Sequence, residues 1–419
     1  MQLYIQNCKE YIEGRIEEVD IHLQDGIYSR VSSFKEGIKV ISGENLLIAP
    51  SFCDLHVHLR QPGFSYKETI YTGTKAAARG GFTTVCAMPN LNPVPDNIEN
   101  IKKQLRSIKE DAIVEVIPYA SITKAQRGKE LSDIEKLSEF CCGYSDDGNG
   151  LENKEIMKTA MLKIATTNRI LAAHVEDNSL MIPNAVIHEG EAAKRFNVVG
   201  MPSKTEYIQL KRDIDLVKET GVRYHMCHIS TAQSVDIIRD AKRQGLPVTC
   251  EVTPHHLAFC DADIIEDSGR FKMNPPLRGS EDRAEILKGI ADGTIDIIAT
   301  DHAPHSKSEK EKGLKSSAFG TVGLETAFAA ANTYLVDKKI ILLERLIHMM
   351  SDLPRQILKQ KTVEGFVLLD LKAEKKVNPN DFLSLGRSTP FEGLMLKGSV
   401  LLTVKEGRVI YMDGGYFGD

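Results

Sequence analysis

Two histidines one residue apart, His56 and His58 in DLHVHLR, are placed to share a cation, because side chains two positions apart on a strand point to the same side. Three other apolar runs end in groups of the same kind: LAAHVED in His174, YHMCHIST in His228, and IIATDHAPH in Asp301. Nitrogen and oxygen donors of this sort suit Zn²⁺ first, and Mn²⁺, Co²⁺ or Fe²⁺ less well. GYSDDGNG sets Asp146 and Asp147 side by side, and only one of two strand neighbours can face a common interior. A carboxylate there could bridge two ions roughly 3.5 to 4 Å apart, the spacing of two-metal hydrolases; the same letters also read as an Asp-Gly turn. His225 stands three before His228, so strand alternation turns it away, outward or into packing. His255 and His256 in EVTPHHL read as support behind the ligands rather than as ligands. His22, His188 and His348 lie in peripheral contexts and are given no role.

The elements that must hold these groups recur along the chain. LIAPSFCDL, FTTVCAM, AIVEVIPYA, FCCGYS, RILAAHV, VRYHMCHI, LPVTCEV and IDIIAT are eight short apolar runs. Between them lie stretches of helical period, among them ETIYTGTKAAARGG, IENIKKQLRSIKE and TAQSVDIIRDAKRQG. Eight buried parallel strands, mostly followed by a helix, within about 260 residues predict an α/β fold of the (β/α)8 TIM-barrel type. A doubly wound open sheet would need a glycine-rich fingerprint after its first strand, and none is visible. Barrel enzymes carry their chemistry at the C-terminal ends of strands, which is where the histidines and Asp301 fall. Residues 2–42 and the tail from 366 alternate apolar and polar residues in short pieces. Residues 1–48 and 366–419 are therefore expected to form one small β-sandwich, each terminus an antiparallel unit, beside a catalytic barrel of residues 49–365.

Composition narrows the function classes. At 419 residues the chain is too long for a small disulfide-stapled module, and its 42% hydrophobic and 26% charged residues are those of an ordinary globular protein. Lys plus Arg number 53 against 58 Asp plus Glu, a net charge of −5, which argues against nucleic acid as a partner. The charged first twenty residues exclude a signal peptide, and no apolar run reaches the 18 residues a spanning helix needs, so no membrane role and a cytoplasmic location are expected. Eight scattered cysteines with no CxxC pair read as buried reduced thiols.

DLHVHLRQPG, MPNLNP, the strand-end His174 and His228, KMNPPLR, ATDHAPHSKSEK and STPFEGLMLKG together resemble the amidohydrolase superfamily, and within it the bacterial class I dihydroorotases, over nearly the whole chain. The resemblance implies a zinc-dependent hydrolase of cyclic amide bonds. Its reaction would be the reversible conversion of L-dihydroorotate and water to N-carbamoyl-L-aspartate in pyrimidine (UMP) biosynthesis. It makes His56 and His58 ligands of one zinc, His174 and His228 ligands of a second, Asp147 the bridge, and Asp301 both ligand and catalytic proton shuttle. Many superfamily members bridge with a carbamylated lysine; this chain has no lysine between Lys136 and Lys154, which fits the class I pattern. The implied substrate carries a carboxylate. Arg60, two past His58 and on its side, can grip that carboxylate in bidentate fashion, with Asn90 beside it. By the same resemblance His58, Asn274, His305 and the backbone at Phe319 and Gly320 complete the substrate site. Residues 306–318, polar and lysine-rich, read equally as a flap over the mouth or a solvated loop. Two other readings stand beside this one. A hydantoinase or allantoinase would generally keep the bridging lysine, and a silent homologue scaffolding aspartate transcarbamoylase would tend to lose metal ligands. A homodimer and an association with aspartate transcarbamoylase are further implications.

Overall fold

The computed structural model describes residues 2–417. Eight strands form the barrel: β6 (Phe52–Val57), β7 (Phe82–Ala87), β8 (Glu115–Ala120), β9 (Gly143–Tyr144), β10 (Ile170–Ala173), β13 (Tyr224–Met226), β14 (Val248–Val252) and β15 (Ile297–Ile298). All neighbours pair in parallel, in the order of the eight apolar runs. The ring is drawn together past β15, where His302 bridges to Val57 and its carbonyl accepts from His58 N at 2.8 Å. Every residue of β6 and β7 is buried, because a parallel strand covered by helices on one side and barrel interior on the other has no wet face.

The intervening helices start where the sequence supplies a cap. Thr69, Asn97, Asn153 and Thr231 each accept a backbone N–H of the following first turn, opening helices Ile70–Arg79, Ile98–Asp111, Lys154–Ala165 and Ala232–Arg243. Helix Lys204–Thr220 ends at Gly221, whose φ of 66° is the left-handed stop that glycine adopts at little cost. A two-stranded parallel sheet, β11 (Ala185–His188) with β12 (Val199–Met201), sits between β10 and β13 and lies outside the eight-run pattern.

Both termini enter a second eight-stranded sheet: β1 (Gln2–Ile12), β2 (Arg15–Gln24), β3 (Ile27–Arg30), β4 (Val40–Ser42), β5 (Leu46–Pro50), β16 (Gly365–Lys376), β17 (Met395–Lys405) and β18 (Arg408–Met412). The N-terminal part is not purely antiparallel, as the alternation suggested. β1 pairs antiparallel with β2 but parallel with both β4 and β5, because residues 31–45 cross over instead of turning back as a hairpin. Alternation reports which face a residue takes; it carries no information on the direction of the partner strand. Leu3, Ile5, Ile21, Leu23, Ile48, Leu368 and Leu402 form a core of this sheet's own. It packs against the barrel through Leu47, Ala49, Val367 and Leu369, which share a buried cluster with Phe52 and Phe82, and Ser51 is the single residue between β5 and β6. All eight cysteines are buried and free. No helix among the described residues is long and apolar enough to cross a membrane.

Candidate metal centre

The sequence-predicted ligands meet at the C-terminal mouth of the barrel. Asp147, just past β9, lies at the middle: its Oδ1 is 3.3 Å from His56 Nε2, 3.7 Å from His228 Nε2 and 3.8 Å from His174 Nδ1, and its Oδ2 is 3.5 Å from His58 Nε2. Asp301 approaches from the far side, with Oδ1 3.1 Å from His58 Nε2 and 3.5 Å from His56 Nε2. His174 Nδ1 and His228 Nε2 are 3.0 Å apart. Two compact triads result, His56–His58–Asp147 and Asp147–His174–His228, and they share Asp147. His56 Nε2 and Asp147 Oδ1 are buried with no hydrogen-bond partner, although they face each other. Buried polar atoms left in this state cost free energy that a cation between them recovers. The donor set fits a pair of divalent cations on one shared carboxylate.

The loop after β8 decides which aspartate faces the mouth. Asp146 turns the other way, where Ile122 N (2.8 Å), Thr123 N (3.1 Å) and the Thr123 hydroxyl all donate to its carboxylate, and it holds the β8 loop. Burial pushes Asp146 up to about 6, whereas Asp147 is held well below the usual range; burial opposes this, but the charges of His56 and its neighbours win. Asp301 is likewise kept low against burial by His56 and His58.

Behind the ligands lies a layer that sequence reasoning missed. Glu251, fully buried on β14, accepts from His56 Nδ1 at 2.6 Å and from His225 Nε2 at 3.0 Å. Burial would raise its pKa, but His56 and His225 bring it down to about 2. With a cation at the site, a carboxylate on Nδ1 would keep the ring's proton there and leave the Nε2 lone pair to the cation. Of the two readings of His225, outward or into packing, the second holds: it is buried in the barrel, bonded to Glu251 and to Thr249 Oγ1 at 2.8 Å. The alternation count does not reach His228, because β13 ends at Met226 and His228 sits at φ 32°, off the strand. The signal for Glu251 was available, a lone carboxylate inside the apolar run LPVTCEV. Asp54, two residues before His56, plays a similar part: it accepts from His56 N at 2.9 Å and from Thr300 N and Oγ1, tying β6 to the end of β15. His255 and His256 are buried beside the mouth. His256 is fixed between Thr253 Oγ1 (2.7 Å) and Pro275 O (3.1 Å), and burial lowers its pKa to about 4, so the ring is neutral.

The residues expected to hold substrate ring the mouth. Arg60 is 9% exposed, with Nε donating to Pro304 O at 3.2 Å and Nη2 3.4 Å from His305 Nε2; among the described residues no carboxylate lies within 4.0 Å of its guanidinium. A buried cation without a carboxylate is a ready anion site. Burial and then the charges of Arg60 and Lys67 take His305 down to about 3, so it is neutral at pH 7. Asn90 donates Nδ2 to the backbone oxygen of Asp147 at 2.7 Å, which leaves its buried Oδ1 unpartnered. Asn274 donates to Glu176 Oε2 at 2.8 Å and lies 3.4 Å from His174 Nε2, and its Oδ1 is also free. Phe319 is 36% exposed at the rim; Gly320, at φ 140°, leaves no room for a side chain, since a Cβ would stand 2.5 Å from Ala303 O. Residues 306–318 are not a simple solvated loop. They form two short helices, Lys307–Lys310 and Gly313–Ser316, and Lys310 and Leu314 are buried.

Comparison with known proteins places this arrangement. A family model described as dihydro-orotase-like matches residues 45–234. A dihydroorotase of Fusobacterium nucleatum is 45% identical, with 98% of this chain and 99% of that protein covered. One of a Geobacillus species is 43% identical, over 99% and 100% of the two chains. The chain belongs to the dihydroorotase family. Among solved structures, the L-hydantoinase (dihydropyrimidinase) of Arthrobacter aurescens superposes with a TM-score of 0.84 at 23% identity over 98% of this chain and 96% of that one, a likeness of fold. As expected from the sequence motifs, this dihydroorotase-family chain is an amidohydrolase-type (β/α)8 barrel with a separate mixed sheet. The two triads at the mouth of this barrel share a carboxylate, Asp147.

Proposed function

We propose that this chain is a working dihydroorotase, interconverting L-dihydroorotate and N-carbamoyl-L-aspartate for pyrimidine synthesis in the cytoplasm. Two zinc ions would be held by His56 and His58, by His174 and His228, with Asp147 between them and Asp301 against the first. Bound there, the zinc pair would supply Lewis acidity and lower the pKa of water toward neutrality. Asp301 is ionised at neutral pH and stands over the centre, so it accepts the proton of the attacking water and returns it to the ring nitrogen as the amide bond breaks. In the ring-closing direction the same carboxylate takes the proton from the carbamoyl nitrogen. Arg60 binds the substrate carboxylate, and the free amide oxygen of Asn274, neutral His305 and the Phe319–Gly320 backbone orient the ring. Asn90 gives one Nδ2 hydrogen to the Asp147 backbone and offers the other to the substrate carboxylate beside Arg60.

The observation that carries this reading is Asp147, a buried carboxylate oxygen without a partner amid four strand-end histidines. The complete donor set speaks against a silent scaffold, and the hydantoinase likeness is one of fold. The test is turnover of dihydroorotate, hydantoin and allantoin by the purified zinc-loaded protein. Preference for dihydroorotate by 100-fold or more is expected on the order of a site built to pair one polar substrate; equal turnover of hydantoin refutes it. Sedimentation alone and with aspartate transcarbamoylase reads out the expected homodimer and that association.

A further inference from the structure

A lysine seldom loses its water unless something replaces it, because the ammonium is among the most strongly hydrated side-chain groups. Lys310 is only 6% exposed. Its replacements for water are backbone carbonyls: Nζ donates to Lys272 O at 3.0 Å, Ala318 O at 2.8 Å and Gly320 O at 2.6 Å. Three donors of an ammonium meet three acceptors, the full complement. Burial, followed by the charge of Lys272, lowers its pKa, while the three carbonyls, which accept from the charged form, favour the ammonium.

The carbonyls it gathers belong to two loops that rim the site. Lys272 lies two residues before Asn274, which reaches His174. Lys272 O also accepts from Gly320 N at 3.0 Å, and Thr321 O accepts from Ala303 N at 2.7 Å, two residues past Asp301. Lys272 Nζ donates to Lys315 O at 3.0 Å and stands 4.5 Å over the Phe319 ring. We propose that Lys310 is a positioning residue whose buried ammonium clamps the Ala318–Gly320 backbone to Lys272, and so sets the spacing between the Asn274 and Gly320 sides of the substrate mouth. Which ligand the mouth receives follows from the dihydroorotase reading; the clamp itself does not.

Lys310→Met keeps much of the side-chain length but leaves three carbonyls without their donor. KM for dihydroorotate is expected to rise about tenfold or more while kcat stays within about threefold, since contacts remote from the reacting atoms act alike on bound substrate and transition state. A merely structural loss would lower the active fraction and leave KM unmoved. Without any turnover, hydrogen exchange of the Gly320 amide should accelerate about tenfold or more, with the barrel strands unchanged. An unchanged KM or an unchanged Gly320 exchange rate overturns the clamp. If the wild-type protein fails to turn over dihydroorotate, the functional reading falls and the exchange rate alone decides. Should Lys310→Met not fold, Ser317→Ala replaces it: Ser317 Oγ donates to Lys310 O at 2.9 Å and accepts from Lys312 N at 3.2 Å, so its loss loosens the turn that carries the lysine. A KM about threefold higher is then expected, and a folded Ser317→Ala protein with wild-type KM refutes the clamp.

Discussion

Replacing Glu251 by Gln removes one charge and almost no volume, and should weaken the first zinc site without touching a ligand. The carboxylate accepts from His56 Nδ1 at 2.6 Å and His225 Nε2 at 3.0 Å, and the His228 amide donates to it at 3.3 Å. A glutamine can offer its oxygen to one of the two rings, and its amide then points N–H at the other. One charge-assisted hydrogen bond is lost, about 1.5 to 3 kcal/mol. If the loser is His56, its proton is free to move to Nε2, the atom that must face the metal. At about 1.4 kcal/mol per decade the loss corresponds to roughly 10- to 150-fold weaker zinc binding, close to the 10- to 100-fold typical of groups that orient ligands. Competition against a chromophoric chelator at pH 7 measures it, with circular dichroism confirming that the variant folds. A folded Glu251→Gln protein that binds zinc within twofold of wild type would refute the inference that Glu251 sets the His56 tautomer.

Four other outcomes follow from the same geometry. Arg60→Ala should lower kcat/KM on dihydroorotate by about 100-fold or more; near-native kinetics would detach Arg60 from the substrate carboxylate. Asp301→Asn should keep most of its zinc by elemental analysis and lose at least about 10²-fold in turnover, whereas normal zinc with normal turnover removes Asp301 from proton transfer. Asp147→Ala should release shared metal and abolish activity while Asp146→Ala retains metal, and zinc reconstitution in degassed buffer should not need bicarbonate, because an aspartate bridge is already anionic; the reverse pattern, or a bicarbonate requirement, overturns Asp147 as the bridge. In the metal-free protein burial would lower the pKa of His56, but Asp147 and Glu251 outweigh it and hold the value well above normal, so the ring carries a proton at pH 7 that zinc must displace. Zinc affinity should therefore fall as pH falls, with proton release seen by calorimetry in buffers of different ionisation enthalpy; binding without proton release contradicts it.

The order of residues was enough to give the barrel and the cluster of histidines and Asp301 at its strand ends, because both are periodic. Eight apolar runs need covering on both faces, and a donor at the end of each of several parallel strands must fall on one rim. The HxH spacing did the same for His56 and His58, since strand alternation is local. Tertiary structure alone decided what alternation cannot reach. Arg60, His228 and Asp301 have φ of 60°, 32° and 46°, conformations that non-glycine residues hold only when their surroundings over-determine them, so their aim could not be counted from the strand. The partners of Glu251 and His225 could be assigned only once β6, β13 and β14 had brought residues nearly 200 positions apart to 2.6 Å, as His56 and Glu251 are. The choice between Asp146 and Asp147 required the β8 loop, whose amides claim the first and leave the second to the histidines. Lys310 looked like one more solvated lysine in a polar stretch, and only the three carbonyls folded around it make it a buried one. Local period is written in the order of residues, whereas the burial of a charge and the partner that compensates it are settled by segments distant in sequence.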